Sequence, residues 1–93
     1  MTKFVIKKDG TKELFNASKI EDAVRAAAKA VDFSEERIQE LIKSVLVKVI
    51  ESTKNSEEVS SVEIKRIVLE ELDIIEPSVS ASWRNYDLGK EKN

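Results

Sequence analysis

Apolar side chains recur every three or four residues through most of the chain after residue 19, and this period constrains the fold more than any other feature. Four such stretches predict four helices, the last of them running through Tyr86. Each apolar stripe has to be buried, so the helices are expected to pack on one another as a bundle. The stripes are Ile20, Ala23, Val24, Ala27, Ala28 and Val31, then Leu41, Ile42, Val45, Leu46, Val49 and Ile50, then Ile64, Ile67, Val68 and Leu72, then Val79, Trp83 and Tyr86.

Capping residues predict where the helices begin. Either Asn16 or Ser18 caps the first helix by accepting an otherwise unpaired backbone N–H, and the sequence leaves both choices open. The other helices are expected to begin at Ser34, at a capping box from Ser60 to Glu63, and at Pro77, which suits a first helical turn.

A β-hairpin is predicted ahead of the helices. Aromatic and β-branched residues from 2 to 8 form its first strand, and residues 12–15 form the return strand. Asp9-Gly10 is the dipeptide that most readily closes a two-residue turn between them. A lone hairpin is marginal in water, so a short third strand around Val59 is expected beside it.

The predicted fold class is therefore α+β, a four-helix bundle capped by a small three-stranded sheet. A chain of 93 residues supports a single hydrophobic core, and we expect one domain over residues 1–93. Within it, residues 1–15 form a hairpin lid, residues 16–88 form the bundle, and residues 89–93 form a frayed tail.

Composition restricts the chemistry. The chain contains no cysteine and no histidine, which removes disulfides, thiolate metal sites, thiol nucleophiles and the usual general base near neutral pH. We therefore expect no enzymatic activity. No apolar run approaches the roughly 18 residues of a membrane span, and no secretory signal pattern appears, so a cytoplasmic location is expected.

Positive charge is concentrated at the N-terminal end. Up to residue 19, five lysines face two acids, a local balance of +3, and since the whole chain carries −2 the remainder carries −5. This distribution should draw an anion to the first fifth of the chain, although the net charge argues against a general nucleic-acid binder. The lysines are Lys3, Lys7, Lys8, Lys12 and Lys19.

Lys19 lies in the predicted first turn of the first helix, where a helix dipole and free N–H groups favour a phosphate. Exposed lysines on strands also serve as edge protection and for solubility, and charge alone favours that simpler interpretation. Glu13 is either a surface carboxylate or a ligand-reading group, and Asn16 is either a helix cap or a ligand-reading group. Gly10 belongs to the turn.

The spacing of these residues resembles a known family. The patterns Val5-x-Lys7-Lys8-Asp9-Gly10 and Glu13-x-Phe15-Asn16-x-x-Lys19-Ile20 are similar to the opening of the ATP-cone family. The segment Val59-Ser60-Ser61-Val62-Glu63-Ile64 is similar to its second element. The resemblance covers nearly the whole chain, in order.

The resemblance implies a nucleotide, ATP or dATP, held between a sheet lid and the helices, with Mg²⁺ possible on its phosphates. It implies phosphate contacts from Lys7, Lys8 and Lys19, a hydroxyl contact from Ser61, apolar contacts to adenine from Val5, Ile20 and Ile64, base or sugar contacts from Glu13 and Asn16, and a further candidate in Lys65. In this family the nucleotide switches a host protein, usually a ribonucleotide reductase or a transcriptional repressor of reductase genes. The expected partner is therefore that host protein, and self-association is a further possibility that the resemblance implies. We expect the chain to bind neither nucleic acid nor a membrane directly.

Two positions depart from the family pattern. Lys8 stands where an arginine is frequent, which keeps the charge but loses the planar fork that binds phosphate through two hydrogen bonds. Asp87 follows Tyr86 where the family often has an arginine. Trp83 and Tyr86 are expected to serve as core or interface residues, and the acids Glu70, Glu71, Asp73 and Glu76 as a solvated helix end.

A functional alternative of a different class stays open. The chain would then be a small helical protein–protein interaction module with no nucleotide ligand, whose basic hairpin is only surface and whose apolar helix face meets a partner. The melting temperature distinguishes the two functions, because an interaction module predicts no thermal shift on adding nucleotide.

Overall fold

A computed structural model describes the backbone of residues 2–91 and the side chains of residues 2–86. The predicted fold class is confirmed, since four helices and a three-stranded sheet are present in these residues. The elements in chain order are β1 (Phe4–Ile6), β2 (Lys12–Leu14), α1 (Ala17–Lys29), α2 (Glu35–Thr53), β3 (Glu58–Ser60), α3 (Ser61–Ile75) and α4 (Pro77–Glu91).

The three strands form one mixed sheet with β1 in the centre. β2 pairs with β1 antiparallel and β3 pairs with β1 parallel. The register places Val5 opposite both Glu13 and Val59, so these three side chains form one row on one face. Val5 and Val59 pack against the helical core, which identifies this face as the inner one.

The hairpin turn differs from the predicted two-residue turn. The Gly10 N–H donates to the Lys7 carbonyl and the Lys7 N–H donates to the Thr11 carbonyl, so Lys8, Asp9 and Gly10 form a three-residue loop. Gly10 has a φ of +88°, the left-handed conformation that ends such a loop. A two-residue turn of the expected type needs positive φ at both residues, and Asp9 does not adopt it.

Each of the first three helices begins at a predicted cap. Asn16 caps α1, since its side-chain oxygen accepts from the Ser18 N–H at 3.0 Å, which decides between the two candidates. Ser34 accepts from the N–H of Arg37 at the start of α2. Ser60 accepts from the Glu63 N–H at the start of α3, so the last residue of β3 is also the cap of the next helix.

The helices form a four-membered bundle in which α1 and α3 each contact both α2 and α4. Their buried side chains make one core, including fully buried Leu41 and Leu72, and Val79 joins it from α4. Trp83 packs partly against this core, as predicted, whereas Tyr86 is 71% exposed.

The acids at the end of α3 are paired, and Glu71 and Glu76 are half-buried instead of solvated. Two of its carboxylates form ion pairs with arginines of the neighbouring helices, which places them in contacts between helices and not only in solvent. Another carboxylate pairs along α3 itself, one turn away. The pairs are Glu70 with Arg66, Asp73 with Arg84, and Glu76 with Arg37.

Helix α4 continues past the predicted end at Tyr86 to Glu91. Residues 92 and 93 of the predicted frayed tail lie outside the described residues. Between residues 2 and 91, no helix has both the length and the apolar character needed to cross a membrane.

Candidate functional site

A cleft of about 170 Å³ lies between the inner face of the sheet and the first turns of α1 and α3. Eight of the ten residues singled out in the sequence line it, and two neighbours complete the wall. The lining residues are Val5, Lys7, Glu13, Leu14, Phe15, Asn16, Lys19, Ile20, Ser61 and Ile64.

Strand alternation accounts for the sheet side of the cleft. Val5 and Glu13 are paired across the two hairpin strands, and Lys7 and Phe15 each follow two residues later on the same face. This row mixes apolar side chains with one ammonium and one carboxylate. The sheet side of the cleft is therefore an apolar wall with charged side chains at the hairpin end.

Two helix starts supply the opposite side. Asn16 ends the link from β2 and caps α1, which brings Lys19 and Ile20 into the first turn of that helix. Ser61 and Ile64 occupy the first turn of α3, directly after β3 pairs with the central strand. The positive ends of two helix dipoles thus border one small cleft, an arrangement that favours an anion.

Glu13 joins the two ammonium groups of the cleft. The Lys7 Nζ lies 3.3 Å from Glu13 Oε1, and the Lys19 Nζ lies 3.1 Å from Glu13 Oε2. Hydrogen bonding from Lys19, and then from Lys7, lowers the pKa of the Glu13 carboxyl below its usual value. The lysines of the hairpin and of the helix start therefore converge on one point and do not extend separately into water.

Lys8 and Lys65 are not among the residues that line the cleft. Lys8 lies in the turn loop, beyond the last paired residue of β1. Lys65 lies one position beyond Ile64 in α3. The side chain of Asp87 lies outside the described residues.

Two lining residues, Leu14 and Phe15, were not singled out in the sequence as site residues. Phe15 packs against the core, and the strand period that points to Glu13 also points to it. Leu14 is 74% exposed and is paired with Phe4 in the outer row of the sheet. No periodic signal identifies Leu14, because strand alternation assigns it to the other face.

The cleft offers two cations that share one carboxylate, together with a hydroxyl, an amide and apolar walls, a set that suits binding an anionic ligand with an apolar part. Within the described residues, no group of three or more His, Cys, Asp or Glu side chains forms a metal site.

Curated proteins give no significant match. The model of the ATP cone domain family matches residues 3–87, which includes every residue that lines the cleft. This family consists of regulatory nucleotide-binding domains and not of catalytic ones. Because the match spans nearly the whole chain, the protein belongs to the ATP-cone family.

Proposed function

We propose that this chain is a cytoplasmic regulatory domain that binds ATP or dATP in the cleft and acts as an allosteric switch for a ribonucleotide reductase or a related regulator. It performs no catalysis of its own. The observation that carries the proposal is the convergence of Lys7 and Lys19 beside apolar walls, in a chain whose family binds nucleotides.

The lining divides naturally between the parts of a nucleotide. Val5, Ile20 and Ile64 form apolar surface that suits the faces of adenine. Lys7 and Lys19 suit the phosphates, since charge-assisted hydrogen bonds to ammonium groups are the stronger class of polar contact. With few carboxylates available, Mg²⁺ would arrive with the phosphates, in the way it commonly binds nucleotides.

The size of the cleft limits how much of the ligand is enclosed. Its volume of about 170 Å³ is below the ~300 Å³ at which small-molecule sites usually begin. The lysine side chains are half exposed, at 48% for Lys7 and 65% for Lys19. We therefore expect the base to occupy the apolar part and the phosphates to extend along the open, cationic side.

Switching between ATP and dATP requires a contact that senses the 2′-hydroxyl. A ligand shifts an equilibrium only by as much as it prefers one state, and the two nucleotides differ by that one group. Asn16 and Ser61 are the uncharged polar side chains of the cleft, and they are the candidates for this discrimination.

The test is calorimetric titration of the wild-type chain with ATP, dATP and GTP, repeated on Lys7→Ala and Lys19→Ala. We expect adenine-selective binding that each variant weakens by about tenfold or more, the usual effect of losing one hydrogen bond to a charged group. Lys12→Ala is the matched control, because Lys12 is also 48% exposed and also pairs with a glutamate, but on the outer face of the sheet.

Two results would contradict the proposal. One is unchanged binding in both cleft variants, which would place the nucleotide elsewhere. The other is no binding and no rise in melting temperature with nucleotide, since a ligand of the folded state always stabilises it. The second result is what the protein–protein interaction module predicts.

A further inference from the structure

The hairpin turn contains the one place in the sequence where an aspartate or an asparagine precedes a glycine, Asp9-Gly10. In this dipeptide the backbone nitrogen of the glycine can attack the side-chain carboxyl of the aspartate, because the glycine has no β-carbon to shield its nitrogen. Both residues are exposed, and a Cβ built on Gly10 would meet no atom within 4 Å, so the surroundings leave room for a ring. The turn is therefore a position at which the chain can modify itself.

The reaction needs no reagent other than water. The Gly10 nitrogen bonds to Cγ of Asp9, and the carboxyl hydroxyl and the amide proton leave together as water, which gives a five-membered succinimide. Water then opens the ring by breaking one of its two C–N bonds. Breaking the bond to Cγ restores aspartate. Breaking the bond to the main-chain carbonyl carbon gives isoaspartate, whose backbone runs through Cβ and Cγ and whose α-carboxylate is free.

The backbone of the folded turn opposes ring closure. The Gly10 N–H donates to the Lys7 carbonyl at 2.9 Å and Gly10 has a φ of +88°, the features of a type I turn followed by a left-handed glycine. In such a turn the residue before the glycine has a ψ of about 0°, so its own nitrogen eclipses the glycine nitrogen. The ring requires Cβ to eclipse that nitrogen instead. Asp9 must therefore rotate out of the turn before it can react.

The side chain of Asp9 is held as well. Its Oδ1 accepts from the Thr11 N–H at 2.9 Å, so the carboxylate spans Gly10 to reach the residue after it. Hydrogen bonding from the Thr11 side chain, and then from its backbone N–H, lowers the pKa of Asp9 below its usual value. Only a protonated carboxyl readily loses its oxygen as water, so this contact also keeps Asp9 in its unreactive form.

We propose that Asp9-Gly10 is a site of spontaneous isoaspartate formation, which the hydrogen bonds of the folded hairpin suppress and which local opening of the turn releases. Opening of an exposed loop is among the least costly fluctuations of a folded protein. Modification therefore accumulates in proportion to the time that the turn spends open. This inference goes beyond the proposed function, and the rate of modification does not depend on any ligand.

The modification would reach the candidate site through the loop. Isoaspartate adds one atom to the backbone of a loop that the Lys7 N–H closes by donating to the Thr11 carbonyl at 2.8 Å. Lys7 also lines the cleft. We expect the modified chain, separated by ion exchange, to melt at a lower temperature and to bind ATP more weakly than the unmodified chain. An unchanged melting temperature would contradict this effect on the hairpin. The expectation for ATP alone rests on the proposed function, so a wild-type chain that binds no ATP removes that function and leaves the rate measurements to decide the inference.

The experiment compares isoaspartate formation in the wild-type chain with that in a peptide of residues 7–12, which is too short to form the hairpin. Both are incubated in the same neutral buffer at the same temperature. Proteolytic digestion, chromatography and mass spectrometry then separate aspartyl from isoaspartyl fragments, which have equal mass and different elution. Gly10→Ala is the control for the site, because its methyl group shields the nitrogen while Asp9 stays in place.

We expect the folded chain to form isoaspartate about tenfold more slowly than the peptide or slower still, because two hydrogen bonds must break first. Gly10→Ala should form almost none. Equal rates in the chain and the peptide would overturn the proposal, since the fold would then give no protection. Absence of isoaspartate from the peptide would overturn it as well, since the site would then not be reactive.

Thr11→Pro tests the protection within the folded chain. Proline has no N–H, so Asp9 loses its donor, whereas the carbonyl that accepts from Lys7 remains. We expect isoaspartate to form about threefold faster than in the wild type or more, in a variant whose thermal melt shows that it is folded. A folded Thr11→Pro that reacts no faster than the wild type would overturn the role assigned to the Asp9 contact. If the variant does not fold, the comparison of the wild-type chain with the peptide decides.

Discussion

Asp73 shows how a single exposed carboxylate can tie two helices together. Arg84 of α4 donates to its two oxygens at 2.7 and 2.9 Å, and the buried Ser80 hydroxyl donates to one of them. The guanidinium, and after it the hydroxyl, lower the pKa of Asp73 to about 2. Because the pair is nearly half exposed, solvent screens it and its contribution to stability is modest.

The direction of the pH effect follows from that lowered pKa. The folded-state pKa lies below the unfolded value of about 3.9, so the contact stabilises fully above about pH 4 and is lost as pH falls through about 2. We expect the melting-temperature difference between wild type and Asp73→Asn to be largest near neutral pH and to shrink between pH 4 and pH 2. Melts at pH 7, 4, 3 and 2 measure this difference. A constant difference would show that the ionised form of Asp73 makes no contribution.

Among the elements, the hairpin depends on one backbone conformation. Gly10 closes its three-residue loop at φ +88°, and a Cβ placed there would meet no atom within 4 Å. The cost of a side chain is therefore confined to backbone strain. Gly10→Ala should lower the free energy of unfolding by about 1–2 kcal/mol, measured by urea denaturation.

Gly10→Asn provides the comparison for this prediction. Asparagine tolerates the left-handed region better than alanine, because its short polar side chain can bond locally. Its destabilisation should therefore be smaller than that of alanine. Equal stability of all three proteins would show that the loop rearranges freely, and then the register of the hairpin would not depend on Gly10.

Features that depend on neighbouring residues in the sequence, such as helices and their caps, were predictable. Features that depend on which residues pair between strands were not. The helices and the cap Ser34 follow from apolar period and neighbouring residues alone. The loop length of the hairpin depends on which residues pair across it, and Asp9-Gly10 carries no such information. Whether Asn16 or Ser18 caps α1 likewise depends on where β2 ends.

The candidate site shows the same division. Strand alternation predicts that Val5 and Lys7 share a face, and the family resemblance adds Glu13 to the same site. The bridge from Glu13 to Lys7 and Lys19 could not be predicted, because it requires knowing that β2 and the first turn of α1 lie within one side-chain length. Distant pairs such as Arg37 with Glu76 are unpredictable for the same reason, since local pattern says nothing about which helices become neighbours.

At the scale of the whole molecule, residues of α1 line both the cleft and a second, separate groove. Its first turn borders the cleft, and its alanine-rich face borders an apolar groove of about 480 Å³ against α4. The groove is lined on the α4 side by Ser82, Trp83 and Tyr86, and the Ser82 hydroxyl donates to the Ala27 carbonyl at 2.9 Å. We therefore expect a displacement of the first turn of α1 to alter packing at the groove.

Trp83 is the single tryptophan of the chain and lies in that groove, so it reports on α1 without labelling. If the cleft acts as a switch, saturating ATP should shift the emission maximum of Trp83, and dATP should shift it by a different amount, because only unequal preference for two states can move their populations. The shift should be absent in Lys19→Ala at the same nucleotide concentrations and present in Lys12→Ala. Calorimetric binding without any change in emission would mean that the nucleotide binds and the α1–α4 packing does not respond, and the switch would then have to act through the sheet.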